Sequence, residues 1–184
     1  MRVITGTARG LRLRELEGME TRPTADRVKE GLFNILQFDI EGRRVLDLFA
    51  GTGQLGIEAL SRGAQSAVFV DQRRDAVELV KENLKHTKLQ DNARVICGDA
   101  ASFLSSTKER FDIIFLDPPY AAELWASALS AIRRYDILRD HGILVCESPA
   151  DVDMPELPAP YRMEEPRKYG KIKLTIYRLE EVEG

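Results

Sequence analysis

A chain of 184 residues, 43% of them apolar and 31% charged, is long enough to bury a hydrophobic core and matches one soluble domain with a small appendage. No uninterrupted apolar stretch could cross a membrane and no apolar signal core opens the chain, which excludes a membrane protein and makes cytoplasmic the expected location. The net charge of −3 excludes a chain-wide attraction to nucleic acid, although basic residues gather near both ends.

The first 42 residues are expected to form a unit of their own, a basic arm or hairpin with a helix, ahead of a larger domain over residues 43–184. Glycines and an alternation of polar and apolar residues over residues 2–16 predict a short hairpin or a mobile basic arm. Apolar residues at helical spacing then predict a helix that begins near Thr24 or Asp26.

From residue 44 onward, short apolar runs alternate with segments of helical periodicity. Strands are predicted over residues 45–49, 67–71, 94–97, 111–117 and 142–147, and helices over residues 53–62, 73–86, 100–106 and 121–135. Repeated βα units predict a mostly parallel sheet with helices on both faces. After a proline-rich loop, two further strands over residues 161–168 and 171–179 predict a C-terminal hairpin.

The first of these strands runs into a glycine turn. Gly51, Gly53 and Gly56 satisfy the G-x-G-x-x-G spacing, in which backbone amides at a helix N-terminus can approach a ligand closely. Asp71 ends the next strand about 20 residues on, where an acid usually binds ribose hydroxyls. Taken alone, this pattern fits NAD, S-adenosylmethionine or a purely structural turn.

Two further acids favour S-adenosylmethionine over NAD. Asp47 lies inside the strand before the glycines, where a carboxylate can hold an ammonium group, which S-adenosylmethionine has and NAD lacks. Asp99, which precedes Ala100, ends the third strand and could accept from an adenine amine, cap the next helix, or do both. The predicted cofactor-binding residues are Asp47, Gly51, Gly53, Asp71, Asp99, Ala100 and Asp117.

The strand over residues 111–117 ends in Asp117-Pro118-Pro119-Tyr120. The two prolines stop the ladder of hydrogen bonds and stiffen the exit from the strand, at the sheet edge where α/β folds bind ligands. A flat base with an exocyclic amine suits this place, because the amine could donate to Asp117 and to the Pro118 carbonyl while Tyr120 stacks on the ring. The alternatives are a turn-forming Asp117 and a Tyr120 that packs in the core.

Three more stretches carry recognisable motifs: Thr5-Gly6 with Arg9-Gly10, the segment from Thr21 to Asn34, and Tyr169-Gly170 with the strand after it. Together with the motifs above, they extend the pattern over nearly the whole chain. Together they resemble class I S-adenosylmethionine-dependent methyltransferases, and more narrowly the bacterial RsmD-type family, which methylates guanine N2 in small-subunit ribosomal RNA. The resemblance implies a Rossmann-like α/β fold with a mostly parallel seven-stranded sheet, a C-terminal antiparallel hairpin and a short N-terminal extension.

The resemblance also implies roles for individual residues. The cofactor site would be lined by Gly51, Gly53, Asp71 and Asp99. The catalytic residues that hold the target base would be Asp117, Pro118 and Tyr120. The implied product is N2-methylguanine at nucleotide 966 of the 16S RNA, made in the assembled small subunit, by a protein that we expect to be a monomer.

Basic residues are the candidates for RNA contact: Arg9, Arg12, Arg22, Arg27 and Lys171. Solvated surface charge is the alternative for all of them, and Arg22 or Arg27 could instead pair with Glu30 or Asp26. Stacking of a base on an aromatic ring returns about 1–3 kcal/mol, which roughly offsets the cost of unstacking an unpaired base. The target is therefore expected to be an exposed or flipped base.

The chemistry requires position and polarity rather than a metal ion, because the sulfonium methyl group is already activated. Three other functions stay open on the sequence. An adenine-N6 nucleic-acid methyltransferase would use the same Asp-Pro-Pro-Tyr motif, although no separate DNA-recognition domain is visible. An NAD-dependent oxidoreductase explains the glycines but leaves that motif without a role. A non-catalytic RNA-binding assembly factor could retain the whole fold.

Overall fold

The computed structural model describes residues 1–17, 23–119 and 122–181, and for residues 23, 24 and 122 it describes the backbone alone. Two of the predicted functional residues, Arg22 and Tyr120, lie outside the described residues. No helix in the described ranges combines the length and the apolar character needed to span a membrane.

Eight strands of the described chain form one sheet. They are β1 Arg44–Leu48, β2 Ser66–Asp71, β3 Ala93–Cys97, β4 Phe111–Leu116, β5 Leu138–Pro149, β6 Tyr161–Met163, β7 Arg167–Tyr169 and β8 Ile172–Leu179. The order across the sheet is β3-β2-β1-β4-β5-β8-β6, and β7 also pairs with β8. The first five strands pair in parallel, whereas β8 runs antiparallel to β5. The predicted mostly parallel α/β sheet with C-terminal antiparallel strands is thus confirmed.

The strand predicted over residues 161–168 is divided into β6 and β7. Because β5 pairs along almost the whole of β8, both short strands pair with the other edge of β8. Between them the register slips by one residue, and Pro166 has no amide that could donate to β8. The sheet therefore contains eight strands in seven positions.

Within the described ranges, five α-helices cover the two faces of the sheet: α1 Pro23–Ile35, α2 Gln54–Ser61, α3 Arg74–Thr87, α4 Ala100–Ser106 and α5 Ala122–Arg134. Alternate residues of the central strands point to opposite faces, so the apolar residues divide into two clusters. One cluster contains Phe69 and Phe115 with apolar residues of α1, α2 and α3. The other contains Leu48 and Leu116 with residues of α4 and α5.

The first thirteen residues form a hairpin that packs on the rest of the chain. The Val3 amide donates to the Leu11 carbonyl at 2.9 Å, and the Gly10 amide donates to the Val3 carbonyl at 2.8 Å. Val3, Ala8 and Leu13 are buried in the same apolar cluster as α1 and α2. The hairpin, rather than the mobile arm, is what the structure contains; the domain boundary after residue 42 stays a prediction.

Candidate functional site

The predicted site residues follow the carboxyl ends of four neighbouring strands. In sheet order, Asp99 comes two residues after β3, Asp71 ends β2, Gly51 comes three residues after β1 and Asp117 follows β4. Parallel strands place all these ends at one edge of the sheet, which is where open α/β folds bind ligands.

The turn after β1 has a strained backbone. Phe49 adopts a φ of 82°, a left-handed conformation that is rare for a bulky side chain and that clusters at functional sites. The amides of Phe49 and Ala50 both donate to the Val70 carbonyl, at 3.0 and 2.9 Å, and hold the turn against β2. Gly51 follows with a φ of 59°, and a Cβ built on it would meet no heavy atom within 4 Å. The turn therefore leaves open space against its backbone.

The other two glycines of the motif serve the start of α2. Gly53 precedes this helix with a φ of 80°, a conformation that glycine adopts without strain. A Cβ on Gly56 would lie 2.3 Å from the Phe69 ring, so α2 can pack this closely on β2 only with glycine there. The glycine spacing thus combines an open turn with close contact between helix and sheet.

Asp47 is a buried acid beneath the glycine turn. It is 2% exposed, and its Oδ2 accepts a hydrogen bond from the Gly56 amide at 3.0 Å. Burial, followed by the negative charges of Asp117 and Asp71, raises the pKa of Asp47 to about 8. A cation beside this carboxyl would favour its ionised form, as the prediction of an ammonium partner requires.

Asp71 organises the glycine turn through both carboxylate oxygens. Its Oδ2 accepts from the Gly51 amide at 2.9 Å, and its Oδ1 accepts from the Arg73 amide at 2.9 Å. Each carboxylate oxygen has a second lone pair, so ribose hydroxyls could still donate to Asp71. The predicted contact with ribose is compatible with this arrangement and stays a prediction.

Asp99 caps α4. Its Oδ1 accepts from the Ser102 amide at 2.9 Å and its Oδ2 from the Ser102 hydroxyl at 2.7 Å, and these bonds lower the pKa of Asp99. The capping alternative is therefore present in the structure. Asp99 is also exposed at the edge of the site, next to the partly buried Ala100, so the predicted adenine contact stays open.

Asp117 lies beside Glu147, an acid that the sequence analysis did not select. Leu116 of β4 pairs with Cys146 of β5, so the residues that follow them are neighbours. Burial raises the pKa of Asp117 to about 6, and the neighbouring Glu147 side chain acts in the opposite direction. Burial and the adjacent charge of Asp117 raise the pKa of Glu147 well above its usual range. The sequence feature that could have identified Glu147 is the presence of a charged residue in the apolar strand predicted over residues 142–147.

Asn83 of α3 was also missed, because its partners are backbone atoms distant in sequence. It is 1% exposed, and its side chain bonds to both the amide and the carbonyl of Arg14, at 2.8 and 3.1 Å. The same amide group donates to the Thr52 carbonyl, in the middle of the glycine turn, at 3.0 Å. Asn83 thus connects the N-terminal segment to the candidate cofactor loop.

The predicted RNA-binding residues within the described ranges are all exposed: Arg9, Arg12, Arg27 and Lys171. Arg9 and Arg12 lie on the N-terminal hairpin, Arg27 on α1, and Lys171 on the turn between β7 and β8. The ring of Tyr169, beside that turn, packs so closely on α1 that a Cβ on Gly31 would lie 2.5 Å from its hydroxyl. The β7–β8 turn and α1 therefore form one continuous surface.

The residues at this edge fit a cationic ligand of nucleotide type. The open space beside Gly51 can admit such a ligand, Asp71 retains acceptor capacity for hydroxyls, and the buried Asp47 carboxyl matches a positive charge. Within the described ranges, no group of three or more His, Cys, Asp or Glu side chains could hold a metal ion.

Comparison with known proteins connects this geometry to methyltransferases. A family model described as "Conserved hypothetical protein 95" matches residues 1–178. The "Putative rRNA methyltransferase YlbH" of Bacillus subtilis (strain 168) is 41% identical over 181 residues, which cover 97% of this chain and 98% of that protein. The "Ribosomal RNA small subunit methyltransferase D" of Escherichia coli (strain K12) is 34% identical over 180 residues, covering 98% and 90%. The solved structure of the "Putative methyltransferase yhhF from Escherichia coli" has a TM-score of 0.89 and 34% identity, with 98% of both chains covered.

Proposed function

This chain belongs to the RsmD family of ribosomal RNA small subunit methyltransferases, and from this membership we propose that it transfers a methyl group from S-adenosylmethionine to the N2 amine of a guanine in 16S ribosomal RNA. The observation that carries the proposal is the alignment of Asp47, Asp71 and Asp117 at one sheet edge, around an open glycine turn.

S-adenosylmethionine would supply a methyl group already activated by the sulfonium charge. Asp71 would accept hydrogen bonds from its ribose, the Gly51 backbone would lie against it, and the buried Asp47 carboxyl would balance its positive charge. Asp99 and Ala100, at the start of α4, would lie on the adenine side of the same edge.

Asp117 would bind the amine of the target base. Its pKa of about 6 leaves it ionised at neutral pH, so it can accept a hydrogen bond from the amine and stabilise the positive charge that grows on the nitrogen. The buried Pro118 would stiffen the turn and present its carbonyl as a second acceptor. Tyr120 would stack on the ring, a role that rests on the sequence motif.

The exposed basic residues would hold the RNA. Arg9 and Arg12 lie on the N-terminal hairpin and Lys171 on the β7–β8 turn, so they could contact phosphates from two elements of the surface. If they contact phosphate, replacement of each should reduce the salt dependence of RNA binding by about one phosphate contact. If the salt dependence of RNA binding were unchanged, these residues would be ordinary surface charges that do not contact phosphate.

The substrate is proposed to be the assembled small subunit, modified at nucleotide 966, by a monomeric cytoplasmic enzyme. The test is methyl transfer from labelled S-adenosylmethionine to small subunits, to naked 16S RNA and to DNA, with nucleoside analysis of each product. Small subunits from cells that lack this chain provide unmodified substrate. We expect labelled N2-methylguanosine from the subunits. Labelled N6-methyladenine in any substrate would contradict the guanine assignment, and no transfer to any substrate would favour an assembly factor.

A further inference from the structure

We infer that Glu147 is a positioning residue for methyl transfer, which keeps a proton between itself and Asp117 and so holds the Asp117 carboxylate ionised and oriented toward the target amine. The inference rests on the proposed function and adds a residue on β5 to it.

The strand register brings the two side chains together on one face of the sheet. Asp47 pairs with Phe115 across β1 and β4, and Phe115 pairs with Val145 across β4 and β5. Glu147 lies two residues beyond Val145 in β5, and Asp117 lies two residues beyond Phe115, directly after β4; this spacing places both on the same face as Asp47. Glu147 is therefore the β5 member of a row of three acids.

The charges around this row are not balanced by nearby cations on the described elements. The acids that raise the pKa of Glu147 are Asp117 from β4 and Asp47 from β1. On β8, Lys173 bonds instead to Asp153 at 2.6 Å. On α1, the ammonium of Lys29 is directed to Glu58 and to the Arg2 carbonyl.

Adjacent carboxyl groups repel each other when all are ionised, and this repulsion is relieved when they share a proton. The β4–β5 register places Asp117 and Glu147 next to each other, and a hydrogen bond between their carboxyl groups would require a proton on one of the two acids. Burial and the adjacent charge of Asp117 raise the pKa of Glu147 well above its usual range, so the shared proton is assigned to Glu147. Asp117 then keeps its charge, with one lone pair engaged by Glu147 and the others available to the substrate amine.

Loss of this donor should misplace Asp117, and small misplacements at a reacting centre can cost about 100-fold in rate. We expect Glu147→Ala to lower kcat by about 10- to 100-fold while the dissociation constant of S-adenosylhomocysteine, measured by calorimetry, changes by less than about threefold. Glu147→Gln retains a neutral donor of the same shape and should recover at least about tenfold of that loss. The matched control is Asp140→Asn, an exposed acid at the other end of β5.

The pH dependence separates positioning from simple support of the fold. In the wild type, kcat should fall at acid pH as Asp117 gains a proton, and fall again at alkaline pH as Glu147 loses its own. Glu147→Gln should keep the acid limb and lose the alkaline limb. Carbon-13 NMR titration of the cofactor-free protein should show one glutamate carboxyl that titrates far above its usual range and is missing from the Gln variant.

The outcomes are distinguishable. A wild-type protein that methylates small subunits, with Glu147→Ala equal to it in kcat and in pH profile, would overturn the positioning role alone. An NMR titration in which Glu147 is ionised at neutral pH would do the same without any activity measurement. A wild-type protein that methylates no RNA would overturn the proposed function and, with it, the role of Glu147.

Discussion

Two groups of charged residues lie on the same side of the sheet and differ in how their charges are balanced. Beneath the N-terminal hairpin, Glu58 of α2 is fully buried, 3.5 Å from the Lys29 ammonium and 3.0 Å from the Arg62 guanidinium. At the strand ends, Asp47, Asp117 and Glu147 are acids beside acids. The first group has opposite charges and is complete without a ligand, whereas the second is destabilised by its own repulsion until a cation or a proton relieves it.

The difference separates residues that hold the fold from residues that act. Both oxygens of Glu58 also accept backbone hydrogen bonds, from Ile4 at 2.8 Å and Thr5 at 3.1 Å, and so fix the hairpin on α2. Burial raises the pKa values of Asp47 and Asp117, and the acid row lies at the carboxyl ends of the strands, which is the pattern of functional sites. Each prediction below either separates these two behaviours or shows that they are not distinct.

The largest effect is expected from Asp117→Ala. The amine would lose its charged acceptor. We expect kcat to fall by about 100- to 1,000-fold, which is the loss found when one oxyanion-hole donor is removed from another enzyme. Binding of S-adenosylhomocysteine and the midpoint of denaturant unfolding should change little, because the variant also removes one charge from a repulsive row. A loss of stability comparable with that of the Glu58 variant below would show that the two groups do not differ.

The opposite result is expected from Glu58→Ala. Removal of this partner leaves Lys29 as a buried unpaired cation, whose pKa burial already lowers, and breaks two hairpin hydrogen bonds. The free energy of unfolding should fall by about 3–5 kcal/mol in urea titration. Glu78→Ala is the control, since its exposed pair with Lys81 should contribute only about 0–1 kcal/mol. A loss below that range for Glu58 would contradict its structural role.

Asp47→Asn should give a smaller effect whose sign depends on pH. The native pKa of about 8 is above that of an unfolded aspartate, so the native protein binds more protons between these values. The contribution of Asp47 to stability is therefore full below about pH 4 and is lost as the pH rises to about 8. Asp47→Asn should flatten this decline in the cofactor-free protein, measured by urea unfolding at pH 5 and pH 8. Parallel pH profiles for wild type and variant would contradict it.

Whether the sequence predicts a residue of either group depends on how far apart in the chain that residue and its partners lie. The alternation of strands and helices and the acids Asp47, Asp71 and Asp117 follow local patterns, since each acid ends or interrupts an apolar run. The balanced group joins residues from positions 2 to 62, and no local period records that Glu58 meets Lys29. Glu147 was missed for the same reason, because its meaning depends on the pairing of β4 with β5.

The division of the strand predicted over residues 161–168 had a different cause. The alternation of polar and apolar residues continues from residue 161 to residue 168. It carries no information about the one-residue shift in register between the β6–β8 and β7–β8 pairings. Pro166 was the local sign that the ladder is interrupted there. No local pattern indicated the left-handed conformation of Phe49. This conformation is fixed by the two amides that donate to the Val70 carbonyl, and an aromatic residue does not favour it by itself.

The smallest effect is expected at Asn83, which joins the two regions without any charge. Asn83→Asp keeps the oxygen that accepts from the Arg14 amide but loses the two donated bonds, to Arg14 and to Thr52. We expect about 1–3 kcal/mol lower stability and weaker binding of S-adenosylhomocysteine, because the Thr52 carbonyl would face a carboxylate and the glycine turn would shift. Asn92→Asp, at an exposed position after α3, is the control for the added charge. If Asn83→Asp bound the ligand as the wild type does, the N-terminal segment and the cofactor loop would be in contact without being energetically coupled. The Glu58 group and the acid row would then act independently.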